Sequence, residues 1–467
     1  MMKVKLAGYN VDTEVLEELK KASPPRDDVT PETLSAAYAR ISRDARPVDE
    51  LRSAARREVA RARKSNQAII FKMGHHSVAE HAVFNFDIIG VSRLAIEQLE
   101  RFRLCSFTEK SQRYITLGDD YVIPKELQGS RVKGQVVEMI QEQNELYHKM
   151  VDTVDKENAR YITALATQGQ LGMTINARNL ELLFRRFASQ DLEEVKELGR
   201  LMFKEVQKIA PSIILFTEAN EYDAKTYGEL KQVAQVAETS ASLRVSSVEP
   251  LPSSQVTKEV ELVDYSKDGD DLVAAALIHT SSNLSYKECL EKVKSMSEDK
   301  KKRIFEAAFK YIVFYDAALR EFEYADLTYD LIISSACFGQ LKRHRLSTQT
   351  YQDYDPSLGI TVPHTVIEAG FEKEFRAVAK KSERVYQEIF QSVGRSAQYV
   401  LTNAHRRRVL LHCNARELYH ISRLREDPAA QWDIRNISLQ MSQLAKKIMP
   451  LTMMKLGGKD IYEAIKC

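Results

Sequence analysis

A short polar motif occurs twice in this sequence. A second motif is also repeated, and the distance between its two copies is nearly the same. Residues 98–106 read Gln-Leu-Glu-Arg-Phe-Arg-Leu-Cys-Ser, and residues 340–348 read Gln-Leu-Lys-Arg-His-Arg-Leu-Ser-Thr. Residues 176–180, Asn-Ala-Arg-Asn-Leu, return as Asn-Ala-Arg-Glu-Leu at 414–418. The offsets between the copies are 242 and 238 residues, and two unrelated coincidences would not agree so closely. The sequence therefore predicts a tandem duplication of one domain.

The first copy of the motif continues into a cluster of cations and hydroxyls. Residues 98–114 combine Arg101, Arg103, Lys110 and Arg113 with Ser111 and other polar side chains. Arginine forks bind phosphate in bidentate fashion, and hydroxyls complete such an anion cradle. A solvated basic helix end is the alternative for one isolated copy, but the repetition favours an anionic ligand. Arg101 and Arg103 point the same way only where the chain is extended, so the motif is expected where a helix runs into a loop or strand.

The overall composition excludes several classes of protein. A net charge of +2 from 68 basic and 66 acidic residues gives no general attraction to nucleic acid or to anionic membranes. The five cysteines contain no Cys-x-x-Cys pair, which disfavours a disulfide framework or a zinc site. The amino-terminal stretch is too poor in apolar residues for a signal peptide, and no stretch is apolar enough to span a bilayer. We therefore expect a soluble cytoplasmic protein.

The periodicity predicts an α+β architecture that occurs twice. Strands are expected at 4–9, 81–89 and 171–175 in the first copy and at 261–265, 323–331 and 408–412 in the second. Long helical regions are expected at 31–62, 133–167, 270–315 and 372–401. The Ser- and Pro-rich stretch 245–257 is the one convincing linker. We expect a first domain at 1–220, a helical tail and linker at 221–257, and a second domain at 258–467.

These segments resemble the flavin-dependent thymidylate synthases (ThyX). That family carries an Arg-His-Arg signature followed seven residues later by Ser, and Arg101-Phe102-Arg103 with Ser111 matches it except at the central position. Residues 74–81, Arg160 and the Asn-Ala-Arg motif at 176–178 follow in the family's order. The resemblance covers residues 1–215 and, more weakly, 258–450.

The resemblance implies a reaction, its cofactors and a small mixed or antiparallel sheet with long helices. The family methylates the C5 atom of dUMP, with methylenetetrahydrofolate as the carbon donor, NADPH as the reductant and FAD as the bound cofactor. Electrostatic stabilisation of charge on the pyrimidine would be the main protein contribution. The sequence has no Gly-x-Gly-x-x-Gly, so a dinucleotide fingerprint would not hold the FAD.

Carried over by position, the resemblance assigns different roles to the two copies. The first copy matches the dUMP-binding residues Gln98, Arg101, Glu109, Ser111, Arg113 and Arg160. It matches FAD-binding residues at His75, Ser77, Arg103, Asn176 and Arg178, but Phe187 or Arg186 falls where the uracil-activating arginine belongs. The second copy keeps that arginine as Arg425, the catalytic candidate, and the FAD-binding candidates Arg343, His344, Arg345, Asn414, Arg416 and His420. Tyr351, Asp353 and Asp355 replace the second copy's nucleotide-binding residues.

The complementary losses suggest that active sites are shared between the two copies, in a homodimer that rebuilds the family's tetramer of domains. Asp in place of a cationic or hydroxyl donor removes a charge-assisted hydrogen bond worth roughly 1.5–3 kcal/mol, so the second copy should not hold dUMP unaided. Two alternatives remain open. One is a related C1 transferase acting on another pyrimidine, and the other is a non-catalytic nucleotide or flavin sensor.

Overall fold

A computed structural model describes residues 2–19, 21, 26–41, 44–245 and 258–465. The first half of the chain forms a four-stranded antiparallel sheet in the order β1-β2-β4-β3. Its strands are β1 (Lys3–Tyr9), β2 (Val83–Ser92), β3 (Cys105–Glu109) and β4 (Gln168–Asn176). The second half forms a sheet of the same order, β5-β6-β8-β7. Its strands are β5 (Val260–Tyr265), β6 (Asp326–Ser334), β7 (Thr348–Tyr351) and β8 (Arg406–Asn414).

Eighteen α-helices accompany these sheets in the described ranges. In the first half they are α1 (Thr13–Leu19), α2 (Glu32–Arg40), α3 (Val48–Arg57), α4 (Val59–Asn66), α5 (Arg93–Leu99), α6 (Ser130–Val151), α7 (Lys156–Ala159), α8 (Ala177–Ala188), α9 (Glu193–Gln207) and α10 (Glu221–Val245). In the second half they are α11 (Gly269–Thr280), α12 (Tyr286–Lys294), α13 (Glu298–Phe309), α14 (Ser335–Leu341), α15 (His364–Glu368), α16 (Glu372–Val393), α17 (Ala415–Arg425) and α18 (Trp432–Ile448). Short 3₁₀ segments include His76–His81, Arg160–Ile162 and Gly394–Val400.

The sheets form because one face of each strand is apolar. In β2, Phe84, Phe86 and Ile88 are buried, while the alternate residues Asn85 and Asp87 are exposed. Such alternation is expected for a sheet with one face against a core. A polar residue caps the helix that follows β2, β4, β6 and β8.

The strand-to-helix junctions are capped identically in the two halves. Ser92 ends β2 and its side chain accepts the backbone N–H of Ala95, while Ser334 does the same at the start of α14. Asn176 and Asn414 cap α8 and α17 in the same way. Each cap satisfies a backbone donor that the first helical turn leaves open.

The chain divides into two compact units, and each unit includes a segment from the other half of the sequence. Unit 1 comprises residues 1–142, 164–253 and 384–400, within the described ranges. Unit 2 comprises residues 143–163, 254–383 and 401–467, within the same limits. Both α6 and α16 therefore begin in one unit and end in the other.

Each exchanged segment supplies a tyrosine to a buried carboxylate. In unit 1, Tyr399 donates to Glu194 at 2.6 Å, and Ser92 donates to the same carboxylate at 2.6 Å. We call this group the first carboxylate cluster. Burial raises the pKa of Glu194, and the hydrogen bonds from Ser92 and Tyr399 oppose that rise. The Glu194 carboxyl therefore accepts hydrogen bonds from two separate segments of the chain.

Unit 2 repeats the arrangement with its own residues. Tyr161 donates to Asp433 at 2.9 Å and Ser334 donates to it at 2.6 Å, and these three form the second carboxylate cluster. Burial also raises the pKa of Asp433. The two tyrosines lie 238 residues apart and the two serines 242 apart, so the exchange follows the repeat itself.

The expected α+β fold in two copies is confirmed, with differences in detail. The helix predicted over 133–167 is wrong beyond Val151, because the chain turns there and continues as α7 and a 3₁₀ segment. The helical region expected at 270–315 contains three helices, α11, α12 and α13. Strands β3 and β7 were not predicted. The linker predicted at 245–257 lies outside the described residues from 246 onward, and no described helix is long and apolar enough to cross a membrane.

Candidate functional site

The repeated motif of unit 1 runs from the end of α5 into β3. Gln98 lies inside the helix and is 2% exposed, while Arg101 and Arg103 follow it at the surface. The guanidinium of Arg101 donates to the Gln98 side-chain oxygen at 3.4 Å. The motif therefore presents two cations at the point where the helix ends, as its extended spacing predicted.

Glu109, a candidate dUMP ligand, is held by an arginine that the sequence reading missed. Arg93 Nη1 lies 3.2 and 3.4 Å from the two Glu109 oxygens, and its Nη2 lies 3.7 Å from Glu97 Oε1. Arg93 is 6% exposed, so this pair is shielded from water. The ion pair fixes the Glu109 carboxylate at the end of β3. The sequence signal for it is a charged residue directly before the apolar run Leu94–Ile96 of α5.

The turn after β3 carries the hydroxyl and cation of the predicted phosphate cradle. Ser111 Oγ accepts the backbone N–H of Arg113 at 3.2 Å, which leaves its own hydroxyl proton able to donate. The Arg113 guanidinium lies 5.3 Å from the Tyr114 ring centroid. Both Ser111 and Arg113 are half-buried. The turn thus orders a hydroxyl and a guanidinium on a short loop, the donor types that a phosphate requires.

Arg160, the remaining dUMP candidate, belongs to unit 2 and not to the unit that contains the loop. Its Nε donates to the Glu157 carbonyl at 3.1 Å, and its own carbonyl accepts from Asn403 at 3.1 Å. The neighbouring Tyr161 ring is stacked on Trp432 with centroids 5.9 Å apart. Arg160 is 8% exposed and lies on a rigid, buried segment.

A chain of hydrogen bonds in unit 2 connects this segment with Arg425. The Gln431 side chain donates to Tyr161 Oη at 2.7 Å and accepts from the Gln340 side chain at 3.4 Å. The Gln340 carbonyl in turn accepts from Arg425 Nη2 at 3.1 Å. The predicted uracil-activating arginine and the segment that carries Arg160 are therefore positioned by one network.

Arg425 is also bound by the central histidine of the second motif. Arg425 Nε donates to His344 Nε2 at 2.8 Å, and His344 is 2% exposed. Burial is the main reason that the pKa of His344 lies well below its usual range, and the neighbouring Arg425 and His420 lower it further. A neutral imidazole is the form that can accept this bond. The structure thus gives His344 a protein partner, whereas the resemblance assigned it to FAD.

The flanking arginines of this motif face outward. Arg343 and Arg345 are both exposed, and Arg343 Nε donates to the Gly339 carbonyl at 3.2 Å. His344 between them points inward, as expected where side chains alternate. The motif therefore offers two surface guanidiniums beside the buried His344, which is paired with the half-buried Arg425.

The other FAD candidates form matching contacts in the two units. In unit 1, Arg178 pairs with Glu80 at 2.5 Å, and in unit 2, Arg416 pairs with Glu323 at 3.1 Å. His75 and Ser77 are exposed at the start of a 3₁₀ segment, and His420 is exposed on α17. Burial, followed by nearby arginines, lowers the pKa of His420. Asn176 and Asn414 serve as helix caps, so their side-chain oxygens are already engaged.

The first half has an apolar contact where the second has Arg425 and His344. Phe102 stands 242 residues before His344, and Phe187 stands 238 residues before Arg425. Their rings meet edge to face with centroids 5.8 Å apart. The matching contact supports Phe187, rather than Arg186, as the counterpart of Arg425. In unit 1, Arg186 instead pairs with Asp223 at 3.0 Å.

In the second half, the segment that corresponds to the nucleotide loop packs against the protein's own side chains. Arg407 is fully buried, and its guanidinium lies 5.0, 4.4 and 3.9 Å from the ring centroids of Phe338, Tyr351 and Tyr354. Asp355 is engaged in capping, because it accepts the backbone N–H of Ser357 at 2.8 Å. Stacking of a guanidinium on several rings stabilises a structural core. The loop of unit 2 is therefore built for packing rather than for an anion.

The structure places the cations and hydroxyl of the first motif in unit 1 and the Arg425–His344 pair in unit 2. No group of three or more His, Cys, Asp or Glu side chains in the described ranges could hold a metal ion. The four cysteines among the described residues are all buried, and none forms a disulfide. Nucleophilic chemistry by these thiols is disfavoured, since burial raises the pKa of Cys337 and Cys413.

Comparison with known proteins identifies relatives of both halves. The family described as thymidylate synthase complementing protein matches residues 27–212 and, again, residues 261–451. A UPF0159 protein of Chlamydia muridarum is 26% identical over 298 residues, which cover 61% of this chain and 53% of that protein. The chain thus spans about half the length of the chlamydial relatives that it matches.

Shorter relatives and solved structures match about one copy. A flavin-dependent thymidylate synthase of Geobacter sulfurreducens is 37% identical over 150 residues, covering 31% of this chain and 65% of that protein. The crystal structure of Thymidylate Synthase X from Helicobacter pylori with FAD and dUMP matches 48% of this chain and 100% of its own, at 19% identity. Its TM-score of 0.33 is low, so the twofold sequence match is the stronger finding.

Proposed function

The chain belongs to the thymidylate synthase complementing protein family through both of its halves, and from that premise we propose that it methylates dUMP to dTMP. Methylenetetrahydrofolate would supply the carbon and NADPH the reducing equivalents, and the enzyme would work as a homodimer. The observation that carries the proposal is the hydrogen bond from Arg425 Nε to His344 Nε2, which orients the arginine that we assign to uracil activation.

The loop of unit 1 would bind the nucleotide phosphate. Arg101 and Arg113 supply guanidiniums, and Ser111 supplies a hydroxyl whose proton is not used by its contact with the Arg113 backbone. Glu109, held by Arg93, would accept a hydrogen bond from the sugar or base. Charge-assisted bonds of this kind are worth roughly 1.5–3 kcal/mol each.

Arg425 would stabilise the negative charge that develops on the pyrimidine ring. A guanidinium that is already oriented before the reaction needs no reorganisation when the charge appears. His344 and the Gln340 carbonyl both accept hydrogen bonds from Arg425, so two of its donors hold the guanidinium in place. The second motif thus acts as the support of this arginine.

The residues present fit FAD as a cofactor. In unit 2 the exposed guanidiniums of Arg343 and Arg345 are suited to its diphosphate, and in unit 1 the exposed His75 and Ser77 are the corresponding candidates. Bound FAD would supply the redox chemistry that no side chain here can provide. Arg178 and Arg416, each paired with a glutamate, would orient the adjacent backbone and side chains.

The test is the loss of activity on removing either function. We expect Arg425→Ala, made alone, to reduce dUMP methylation at least about 100-fold, the order lost with one preorganised transition-state donor. Ser111→Ala, made alone, should reduce it about 10- to 100-fold, the order lost with one charge-assisted hydrogen bond to phosphate. Ser106, which is exposed on β3, and Arg435, which is half-buried on α18 and donates to the Pro428 carbonyl, provide matched controls. Ser106→Ala and Arg435→Ala should retain activity. Unchanged turnover in either Ser111→Ala or Arg425→Ala would contradict the proposal.

The contact between Phe102 and Phe187 favours a second candidate, a nucleotide- or flavin-binding protein without this activity. An apolar pair in place of His and Arg is what the loss of one catalytic centre leaves behind. Purified protein with flavin absorbance that NADPH bleaches would exclude this candidate. Growth rescue of a thymidine-requiring strain would then favour dUMP, whereas failure to rescue with reducible flavin would favour another pyrimidine.

A further inference from the structure

A buried carboxylate, Glu417, lies behind the histidine that holds Arg425. It stands in the first turn of α17 and is 2% exposed. Its Oε1 atom lies 3.8 Å from His344 Nδ1, which is an electrostatic contact rather than a formed hydrogen bond. Within the described part of the chain, neither carboxylate oxygen of Glu417 has a hydrogen-bond donor. A buried carboxylate in that state is costly and calls for a reason.

The hydrogen bond on the other side of the ring determines which His344 nitrogen carries the proton. Arginine Nε always carries a proton and can only donate, so His344 Nε2, at 2.8 Å, must be the unprotonated acceptor. In the neutral ring the proton is then on Nδ1. That is the nitrogen that faces Glu417. Arg425 therefore donates a hydrogen bond to His344, and the Nδ1 proton of His344 faces Glu417. We call these three residues the line.

All three members of this line are absent from the first half together. The positions equivalent to Arg425, His344 and Glu417 are occupied by Phe187, Phe102 and Asn179. A helix-starting carboxylate kept only for local reasons, such as the helix dipole, would have no cause to disappear with the other two. Asn179 instead donates its side-chain amide to the Asn176 cap at 2.8 Å.

We propose that Glu417 is a positioning residue whose ionised carboxylate, acting through His344 Nδ1–H, orients Arg425 toward the pyrimidine nucleotide. This inference rests on the proposed function, because it needs a substrate for Arg425. An anionic acceptor at Nδ1 makes Nε2 a better acceptor for Arg425, as in carboxylate–histidine pairs elsewhere. The role differs from holding a cofactor, which the resemblance assigned to His344.

The position predicts a pH dependence of nucleotide binding. Burial raises the pKa of Glu417 to about 7, and Arg416 opposes the rise. The other titratable or charged groups facing the line are Cys413 at the end of β8 and, on α17, His420, Arg423 and Arg425. Burial keeps Cys413 protonated and His344 neutral, so Glu417 is the group of this line that titrates near neutrality. Affinity for dUMP should rise from pH 6 to pH 8.

The first experiment compares dUMP titrations of the full chain and of Glu417→Gln at pH 6 and pH 8. Loss of the charge should weaken binding about tenfold at pH 8, the size of one charge-assisted hydrogen bond, and less than about twofold at pH 6. The matched control is Glu383→Gln. Glu383 faces another buried histidine of unit 2, with its Oε1 3.7 Å from His405 Nε2, and neither residue contacts Arg425. This variant should keep the wild-type pH profile.

The second experiment reads the tautomer of His344 directly, by ¹⁵N NMR of histidine-labelled protein. The chain has ten histidines, and the His344 signals are assigned by their loss in His344→Phe. The expected result is a neutral ring protonated on Nδ1 at pH 8, with a shift of Nδ1 in Glu417→Gln and no shift in Glu383→Gln.

The outcomes separate the inference from the proposed function. A ring protonated on Nε2, or a Glu417→Gln variant with the wild-type binding profile, would overturn the positioning role. A wild-type chain that binds no dUMP at any pH would instead contradict the proposed function, and the NMR result would still decide whether the line exists.

Discussion

At the scale of single residues, the site contains a group that lowers the stability of the folded protein. Glu417 has a pKa near 7 in the folded chain, above the usual value of 4.5 for glutamate. The folded state therefore binds a proton more tightly than the unfolded state does. The stability that this proton provides is present below pH 4.5 and is lost as the pH rises to about 7. At pH 8 the ionised carboxylate is a net cost to the fold.

Glu417→Gln is accordingly expected to stabilise the protein while weakening its proposed function. A difference of about 2.5 pKa units corresponds to at most about 3 kcal/mol at pH 8, and the gain should vanish at pH 4. Urea denaturation of the variant and the wild type at the two pH values measures it. Equal midpoints at pH 8 would show that the buried carboxylate carries no such cost.

The apolar pair of unit 1 gives the opposite prediction. Phe187 is 1% exposed and packs against Phe102, so Phe187→Ala should destabilise the protein by about 3–5 kcal/mol through the cavity that it leaves. Leu182 lies on the same helix but is 40% exposed, and Leu182→Ala should change stability by less than about 1 kcal/mol. The shift of the urea midpoint tests both, and a mild effect at Phe187 would mean that the pair is not part of the core.

The sequence predicted the residues that belong to motifs and missed the residues that support them. The two arginine motifs could be placed because each occurs at a fixed offset in both copies, and Arg425 was assigned from the family resemblance of the second copy. Arg93 and Glu417 could not, because their importance comes from contacts with residues 16 and 73 positions away. Periodicity shows which side of a helix is buried, but it does not show which buried charge meets which partner.

At the scale of elements, the two carboxylate clusters tie a strand end, a helix start and an exchanged segment together. Tyr161 donates to Asp433 and accepts from Gln431, and all three residues are buried. We expect Tyr161→Phe to cost about 1–3 kcal/mol, the penalty for leaving buried polar groups without a partner. Tyr311→Phe, at an 81% exposed position, is the neutral control.

Tyr399→Phe should have a similar effect in unit 1, because Tyr399 donates to Glu194 in the same geometry. Thermal unfolding of the two variants, alone and combined, measures the contribution of each cluster. If neither variant lowers the midpoint more than Tyr311→Phe does, the clusters are not a significant source of stability.

Strands in which apolar and polar residues alternate clearly were predicted, and the short edge strands β3 and β7 were not. β2, β4, β6 and β8 are bordered by clear polar caps, and their existence was confirmed with bounds shifted by a few residues. β3 and β7 are edge strands of five and four residues that alternate weakly, and they lie inside the polar motif, where a loop is equally compatible with the sequence. The long helix predicted over 133–167 was wrong because helical composition continues past the turn at Val151.

At the scale of the whole molecule, each compact unit depends on sequence from both copies. Unit 1 requires residues 384–400, and unit 2 requires residues 143–163. A fragment ending at residue 245 therefore lacks the tyrosine of the first carboxylate cluster, and a fragment starting at residue 258 lacks that of the second. We expect neither fragment to unfold cooperatively when expressed alone, whereas the two expressed together should be recovered as one folded complex.

Circular dichroism and thermal melting of the separate and combined fragments test this expectation. The intact chain is the control. A single fragment that melts with the intact chain's cooperativity would show that the exchanged segment is dispensable. The sequence predicted the duplication but not the exchange, although Tyr161 and Tyr399 recur at the same offset as the Asn-Ala-Arg motif.

The exchanged segments also restrict how the gene for such a chain can change. A deletion that removed either copy would take with it part of the other copy's core, even when the deleted copy had kept no working pocket. Each copy is therefore retained because it supplies part of the other copy's core. Its binding residues can be replaced, as we infer for Phe102 in the first copy and Asp355 in the second, whereas its tyrosine cannot.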